Sequence, residues 1–315
     1  MASIKDIKKR IGTVKNTQQT TRAMKMVSAA KLRRAQEAIQ NQRPYAKGIG
    51  DLIRKLSADE AIGQHPLVAR AGLSGQDIPN FQDASAEAAT APKKTVLLLV
   101  TSDRGLCGGF NANVIKAATK WVNAKENRAR SIELMFVGRR GHDFFKNRKV
   151  NVGAYYPEVG GKVSFQKAKT LANSLVERFQ KGDVEEIRVI YNEFKNAATQ
   201  EVVVENFLPI RSAEFPHAGE TSGQEGATTA NYLVKPGSKE VFGELLSRNF
   251  SIQCFRILLE SQAGEHGARM AAMENATKNA GEMILSLTLQ YNKQRQAGIT
   301  KELLEIISGS ESQKG

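Results

Sequence analysis

Cysteine is nearly absent: Cys107 and Cys254 are the only two among 315 residues, far apart and outside any CxxC spacing. That pattern excludes a disulfide scaffold and a thiolate metal site. The four histidines, His65, His142, His217 and His266, are scattered singly, which argues against a zinc centre. Aromatic residues make up 6% of the chain, and the first 43 residues hold none. That stretch therefore lacks the stacking platforms used to grip single-stranded nucleic acid. No apolar run approaches the roughly 18 residues needed to cross a bilayer, so no membrane span is expected. The segment from Met1 to Ile11 is polar and charged, so no secretory signal is expected either. The eight prolines are distributed unevenly, with none before Pro44 and none after Pro236.

Two long segments are left free to be helical. From about Lys239 to Ser308, roughly 70 residues carry helical apolar spacing and would extend about 105 Å as one helix. A body made from the roughly 150 middle residues has a radius of gyration of only about 15 Å, so most of that helix must lie outside it. Its expected partner is the other proline-free segment, from Ser3 to about Arg43. Ile4, Ile7, Ile11 and Val14 step by three and four, as do Met273, Ala276, Ala280, Met283 and Leu287. A seven-residue repeat of this kind predicts a left-handed two-helix supercoil. Met24, Val27, Ala30, Leu32 and Ala35 drift across the frame, so stutters are expected. Gly264, Gly267 and Gly298 fall inside the second helix at about 1 kcal/mol each relative to alanine, which implies either close approach to a partner or local compliance.

Net charge is +14, and its placement matters more than its size. Ten lysines and arginines from Lys5 to Arg34 fill the first helix, where Asp6 is the only acid before Glu37. Three readings of this basic rod stay open: an acidic protein sleeve, a solvated outer face, and the phosphates of a nucleic acid.

Between the helices the organisation changes. Pro44 interrupts the first helix, and a shorter apolar segment around Leu52, Ile53 and Leu56 follows. Residues 58–94, rich in small and polar side chains with Pro66, Pro79 and Pro92, read as a variable linker. The continuous apolar run from Thr95 to Thr101 suits a strand buried on both faces. Further strands are expected at 132–137, 187–191 and 201–207, and helices at 111–125, 142–146 and 165–180. Such alternation predicts an open, mostly parallel α/β domain of Rossmann-like type. The domains expected are a coiled-coil helix at 1–57, the linker at 58–94, the α/β domain at 95–212, a loop at 213–232 and a second coiled-coil helix at 233–315.

The turn Thr101-Ser-Asp-Arg-Gly-Leu-Cys-Gly-Gly-Phe-Asn111 sits where nucleotide enzymes hold phosphate. Its glycines make neither GxGxxG nor GxxxxGK[ST], and no acid follows to close a ribose site. Glycines here suit positive φ and close packing, and Cys107, with no histidine near it in sequence, reads as a small packed thiol.

Three separated motifs, in order, carry a resemblance. They are Ile4-Lys-Asp-Ile-Lys-Lys-Arg-Ile11 with Lys15-Asn-Thr-Gln18 and Ala23-Met-Lys-Met-Val27, then Ser102-Asp-Arg-Gly-Leu-Cys-Gly-Gly109, then Tyr291-Asn-Lys-Gln-Arg-Gln-Ala-Gly-Ile-Thr-Lys-Glu-Leu303 with Glu305-Ile-Ile-Ser-Gly309. Together they closely resemble the gamma subunits of F-type ATP synthases over nearly the whole chain. The resemblance implies a non-catalytic central rotor stalk that turns inside a ring of three alpha and three beta subunits. It further implies that epsilon and the c ring adjoin the α/β domain, and that the chain sits at the cytoplasmic face of a bacterial inner membrane, meeting the membrane only through the Fo sector. No cofactor, metal, nucleic acid or directly bound nucleotide is implied. Met24, Arg269, Arg295, Gln296, Thr300, Glu302, Leu303 and Ile306 match positions that meet the alpha/beta ring. Tyr232 and Lys235 match the c-ring/epsilon foot, although Lys235 stands where many relatives carry an acid. The paired cysteines of light-regulated plastid forms are missing, so no thiol switch is expected. Two rival readings are a nucleic-acid-binding coiled coil, on the basic rod, and a small nucleotide-dependent enzyme, on the glycine turn.

Overall fold

A computed structural model describes residues 3–57, 67–69, 94–211 apart from a few isolated positions, and 238–312. The expected loops at 58–94 and 213–232 lie largely outside the described residues, as do Tyr232 and Lys235. The chain divides into two compact units, Met1–Ala30 with Arg269–Gly315, and Lys31–Ala268. Helix α1 (Ile4–Ser57) and helix α5 (Ser238–Ser312) each contribute to both.

In the first unit, α1 and α5 pack antiparallel, with Lys25 paired to Glu274 at 2.6 Å, Thr21 to Thr277, and Ile4 lying against Gly298. The inward positions of α1 are Ile7, Ile11, Val14, Gln18, Thr21, Lys25 and Ser28. On α5 they run through Met270, Met273, Thr277, Ala280, Ile284, Leu287, Tyr291, Gln294 and Gly298. Both series step by three and four without a break, so the expected stutters are absent. Val27, among the residues that suggested a slip, faces outward, and so does Met283, one of those expected in the stripe. Polar residues hold the seam in their place, and they are paired across it. The Thr21 and Thr277 hydroxyls lie 2.8 Å apart, and Gln18 Nε2 donates to the Thr277 carbonyl at 3.4 Å. Seam hydroxyls and amides that find such partners avoid the cost of burying an unsatisfied polar group.

In the second unit α1 keeps the same frame through Leu32, Ala35, Ile39, Gln42, Ala46, Ile49 and Ile53. The break expected at Pro44 does not occur, and the helix continues through it. A proline inside a helix costs about 3 kcal/mol. Pro44 lies on the exposed side, where the carbonyl it deprives of a donor can be solvated. Beyond it Ile49 and Ile53 are buried, each worth about 1.5–3 kcal/mol, which offsets the loss.

The same unit holds a five-stranded sheet in the order β4-β3-β2-β5-β6. Its strands are β2 (Lys94–Val100), β3 (Ser131–Val137), β4 (Asn151–Tyr156), β5 (Glu186–Phe194) and β6 (Gln200–Leu208). The first four are parallel and β6 is antiparallel to β5. Two-residue strands β1 (Val68–Ala69) and β7 (Ile210–Arg211) pair separately. Helices α2 (Phe110–Asn123), α3 (Arg139–Phe145) and α4 (Phe165–Gln180) connect the strands. Side chains of β2 alternate between two cores, as the period of a strand requires. Val96, Leu98 and Val100 join α1, α4 and α5, whereas Leu97 and Leu99 join Val114 and Ala118 of α2. Both faces of β2 are thus covered, which is why its sequence is a continuous apolar run.

The two glycines early in α5 now have a physical role. A Cβ on Gly264 would meet Phe110 Cε2 at 3.3 Å and Gln200 Cγ at 3.4 Å, and one on Gly267 would meet the Ala197 carbonyl oxygen at 3.0 Å. Close approach of α5 to the chain's own α/β domain, rather than compliance, explains both. Gly298 lies in ordinary contact with Ile4, 3.6 Å from the position its Cβ would take.

Candidate partner-binding surface and glycine turn

The last seam residue of α5 is Gly298, and from Ile299 to Gly309 every side chain is exposed. Ile299, Leu303, Leu304 and Ile306 are 50–68% exposed. Helical geometry sorts this segment by face at about 100° per residue. Arg295, Gln296, Ile299, Glu302, Leu303 and Ile306 fall within an arc of about 120°, and Thr300 stands just beyond its edge. The seam positions Tyr291, Gln294 and Gly298 occupy the adjoining arc of about 60°, next to the Glu302 edge. Five of the residues expected at a ring interface therefore share one outer face, with Ile299 at its centre. Thr300 gives its hydroxyl to the Gln296 carbonyl at 3.0 Å, and Lys301 pairs with Glu305 at 3.6 Å, so both are engaged along the helix.

The same face continues backward along α5. Leu285 and Leu289 are 68% and 72% exposed and align with Gln296 and Leu303 on an ideal helix. The sequence reading did not single them out. The signal lay in two large apolar residues four apart, outside the seven-residue seam. Met24 is half-buried beside the seam, whereas Met26 and Val27 next to it are exposed. Arg269 departs from the rest, being only 9% exposed, so it presents little surface to a partner chain.

The glycine turn spends its polar groups on itself. Asn111 Oδ1 accepts from the Ser102 amide at 2.9 Å, and Asn111 Nδ2 donates to Ser102 Oγ at 2.8 Å and to Cys107 Sγ at 3.1 Å. Ser102 Oγ donates to the Arg104 carbonyl at 2.6 Å. Cys107 is buried within this cluster. Leu106 and Gly108 have φ of 63° and 55°, which lets the chain fold tightly over the thiol. Gly138 has φ of 89°, and a side chain there would collide with the Thr101 carbonyl, so β2 and β3 end in close contact. An open groove of about 960 Å³ beside the turn is lined by Lys116, Lys120, Arg140 and Arg148 together with Asp143. Asp143 is bonded to Lys146 and Arg139, which lowers its pKa. The other thiol, Cys254, lies in the core, where burial pushes it up to about 12 and makes it a poor nucleophile.

Among the described residues, no helix is long and apolar enough to cross a membrane, and no group of three His, Cys, Asp or Glu is placed to hold a metal ion. The architecture is that of a two-helix coiled coil carrying an α/β insert, with an exposed apolar face at the end of its longer helix.

Comparison with known proteins places this architecture. The family model described as ATP synthase matches residues 3–312. The ATP synthase gamma chain of Geotalea uraniireducens is 42% identical over 318 residues, covering both chains fully. That of Bdellovibrio bacteriovorus is 42% identical over 319 residues, again over the whole of both. Among solved structures, a chain of the Euglena gracilis mitochondrial ATP synthase, OSCP/F1/c-ring, aligns with a TM-score of 0.62 at 19% identity, covering 98% of this chain and 94% of the other. A chain from the central stalk/c-ring of the Tetrahymena thermophila mitochondrial enzyme aligns with a TM-score of 0.57 at 24% identity, covering 82% and 99%. These two likenesses establish the fold. The chain belongs to the ATP synthase gamma chain family, the central-stalk rotor subunits that couple c-ring rotation to the F1 catalytic subunits. Such a subunit is non-catalytic, because catalysis resides in the alpha and beta subunits.

Proposed function

We propose that the outer face of α5, from Leu285 through Ile306, is the surface on which the surrounding alpha and beta subunits bear. The observation that carries this reading is the exposed apolar row of Ile299, Leu303 and Ile306, flanked by Arg295, Gln296 and Glu302. A contiguous apolar patch of this kind marks an interface, and the flanking polar groups supply orientation. Arg295 is suited to pair with carboxylates of the beta subunits through its planar fork. Met24 belongs at the edge of the same contact. Epsilon and the c ring meet the α/β domain and the neighbouring segment that holds Tyr232 and Lys235. The chain works at the cytoplasmic face of a bacterial inner membrane and touches the bilayer only through the Fo sector.

In the mechanism that follows, ion passage turns the c ring, the α/β domain turns with it, and the two-helix rod presents a different side to each beta subunit in succession. One charge crossing 100 mV supplies only about 2.3 kcal/mol, so several translocation steps are summed for each ATP. The chain contributes rigidity and asymmetry, and no bond is made or broken on it. Co-expression with alpha and beta subunits tests the assignment. ATP hydrolysis by the assembled ring should depend on this chain, and Ile299→Asp with Leu303→Asp should reduce it by at least about tenfold. Full activity of the doubly substituted complex would remove the bearing face from the mechanism.

A further inference from the structure

The second unit contains a polar cluster that neither the glycine turn nor the bearing face uses. Arg256 of α5 meets Glu205 of β6 at 2.6 Å (Nη2 to Oε1) and donates from Nη1 to the Tyr191 hydroxyl of β5 at 3.0 Å. Tyr191 in turn donates to Glu205 Oε2 at 2.8 Å, which closes a three-membered ring between one helix and two strands. Tyr191 is 1% exposed. On the helix side the guanidinium is braced by Gln253 Oε1 at 2.8 Å and Glu260 Oε1 at 3.4 Å. Gly264 and Gly267 follow, about 12 and 17 Å further along α5, and there Phe110, Gln200 and Ala197 press against the helix backbone.

We propose that the Arg256–Glu205–Tyr191 ring, together with the Gly264 and Gly267 notch, is a torque-bearing clasp that fixes the angle and register of α5 on the α/β domain. Apolar packing between α5 and the sheet, through Phe250, Cys254, Ile257 and Leu258, resists separation. Hydrophobic attraction is non-directional, so only turns or slides small enough to keep this stripe covered leave the buried area little changed. A charged fork engaging two acceptors on different strands has a preferred geometry, so turning of the helix strains both bonds at once. Arg256 and Glu205 are partly shielded from water, and shielded ionic groups are better attested as devices that set register than as sources of net stability. The notch adds a steric stop at a second point along the axis. A rotor that passes torque between its α/β domain and its long helix requires resistance to twist at that joint, and these two features supply it directionally, alongside the weaker Gln262 contact with the Gly161 carbonyl at 3.3 Å.

The clasp rests on the reading of the chain as a rotor, and the experiment separates the two. The full chain is assembled with alpha and beta subunits, the ring is immobilised, and a bead is attached to the α/β domain. Angular fluctuation of the bead is recorded in the stalled complex and rotation is followed during ATP hydrolysis. Arg256→Met and Glu205→Gln should each raise the angular variance at least about twofold while leaving the hydrolysis rate within about twofold of the parent. Arg256→Lys, which keeps the charge and loses the fork, should give an intermediate variance and serves as the decisive variant should Arg256→Met fail to assemble. Unchanged variance in an assembled variant overturns the clasp and leaves the rotor standing. A parent complex that hydrolyses ATP without turning the bead overturns the rotor reading itself.

Discussion

The coiled-coil unit and the α/β unit bury their residues to different depths although the same two helices run through both. In the coiled coil each seam side chain faces a single neighbouring helix, so few positions are fully covered, Ile7 and Met273 among them. In the α/β unit, by contrast, β2 is enclosed by helices on both faces and Leu97, Leu99, Val96 and Val100 are almost wholly excluded from water. The coiled coil tolerates Thr21, Gln18 and Lys25 in its seam because water or a partner group remains within reach. In the sheet's interior a polar side chain such as Asn192, 1% exposed, is held by a protein group, here the Phe110 carbonyl at 3.2 Å. The coiled-coil unit leaves large apolar side chains such as Leu289 and Ile306 exposed, whereas the sheet encloses those of its central strand.

Cavities made in each region should separate the two most clearly. Phe136→Ala, in the enclosed sheet, should cost about 3–5 kcal/mol in chemical denaturation, whereas Met273→Ala in the seam should cost about 2 kcal/mol. Hydrogen exchange should localise the second effect to amides of the coiled coil. Equal costs with uniform loss of protection would show that the two regions unfold as one. Next in size is the hydroxyl pair. Thr21→Val alone should lose about 1 kcal/mol by removing the cross-helix partner of the Thr277 hydroxyl, which keeps only its bond to the Met273 carbonyl, and adding Thr277→Val should recover part of it. A strictly additive double-mutant cycle would deny the pair any coupling.

Glu260 gives the smallest effect and tests the enclosed region through pH. Burial raises its pKa, with Arg256 opposing, and its Oε2 finds no hydrogen-bond partner among the described residues. The folded protein therefore binds this proton more tightly than the unfolded chain does, so ionisation erodes stability as pH rises through the carboxylate range and the raised value above it. Glu260→Gln should match the parent in thermal melts below that range and exceed it at neutral pH. A variant less stable than the parent at neutral pH would mean that the Arg256 attraction outweighs burial.

Much of the architecture was legible in the order of residues. The helix Phe165–Gln180 was expected over the same span, and the run from Thr95 announced a strand covered on both faces. Strand β4 escaped notice because Asn151–Tyr156 is short, half-exposed and interrupted by Gly153, whose missing side chain leaves room for Glu133. Pro44 misled because propensity acts locally while the burial of Ile49 and Ile53 is a tertiary gain. At the candidate surface, Arg295, Gln296, Glu302, Leu303 and Ile306 could be named from motif and spacing, yet Arg269 in the same helix is buried. Spacing alone does not say which side of a helix meets its own chain.

Proline-free length, heptad spacing, the uneven charge and three separated motifs determined from the sequence alone that this is a coiled coil with an α/β insert and which family it belongs to. Their physical basis is local: backbone torsions and side-chain periodicity depend on near neighbours. Only the tertiary structure decided which polar residues enter the seam, why Gly264 and Gly267 must lack a side chain, and that Arg256, Glu205 and Tyr191 meet. Those outcomes depend on distances between groups from 14 residues apart in the chain, for Tyr191 and Glu205, to 259 apart, for Gln18 and Thr277, which no reading of neighbours can supply.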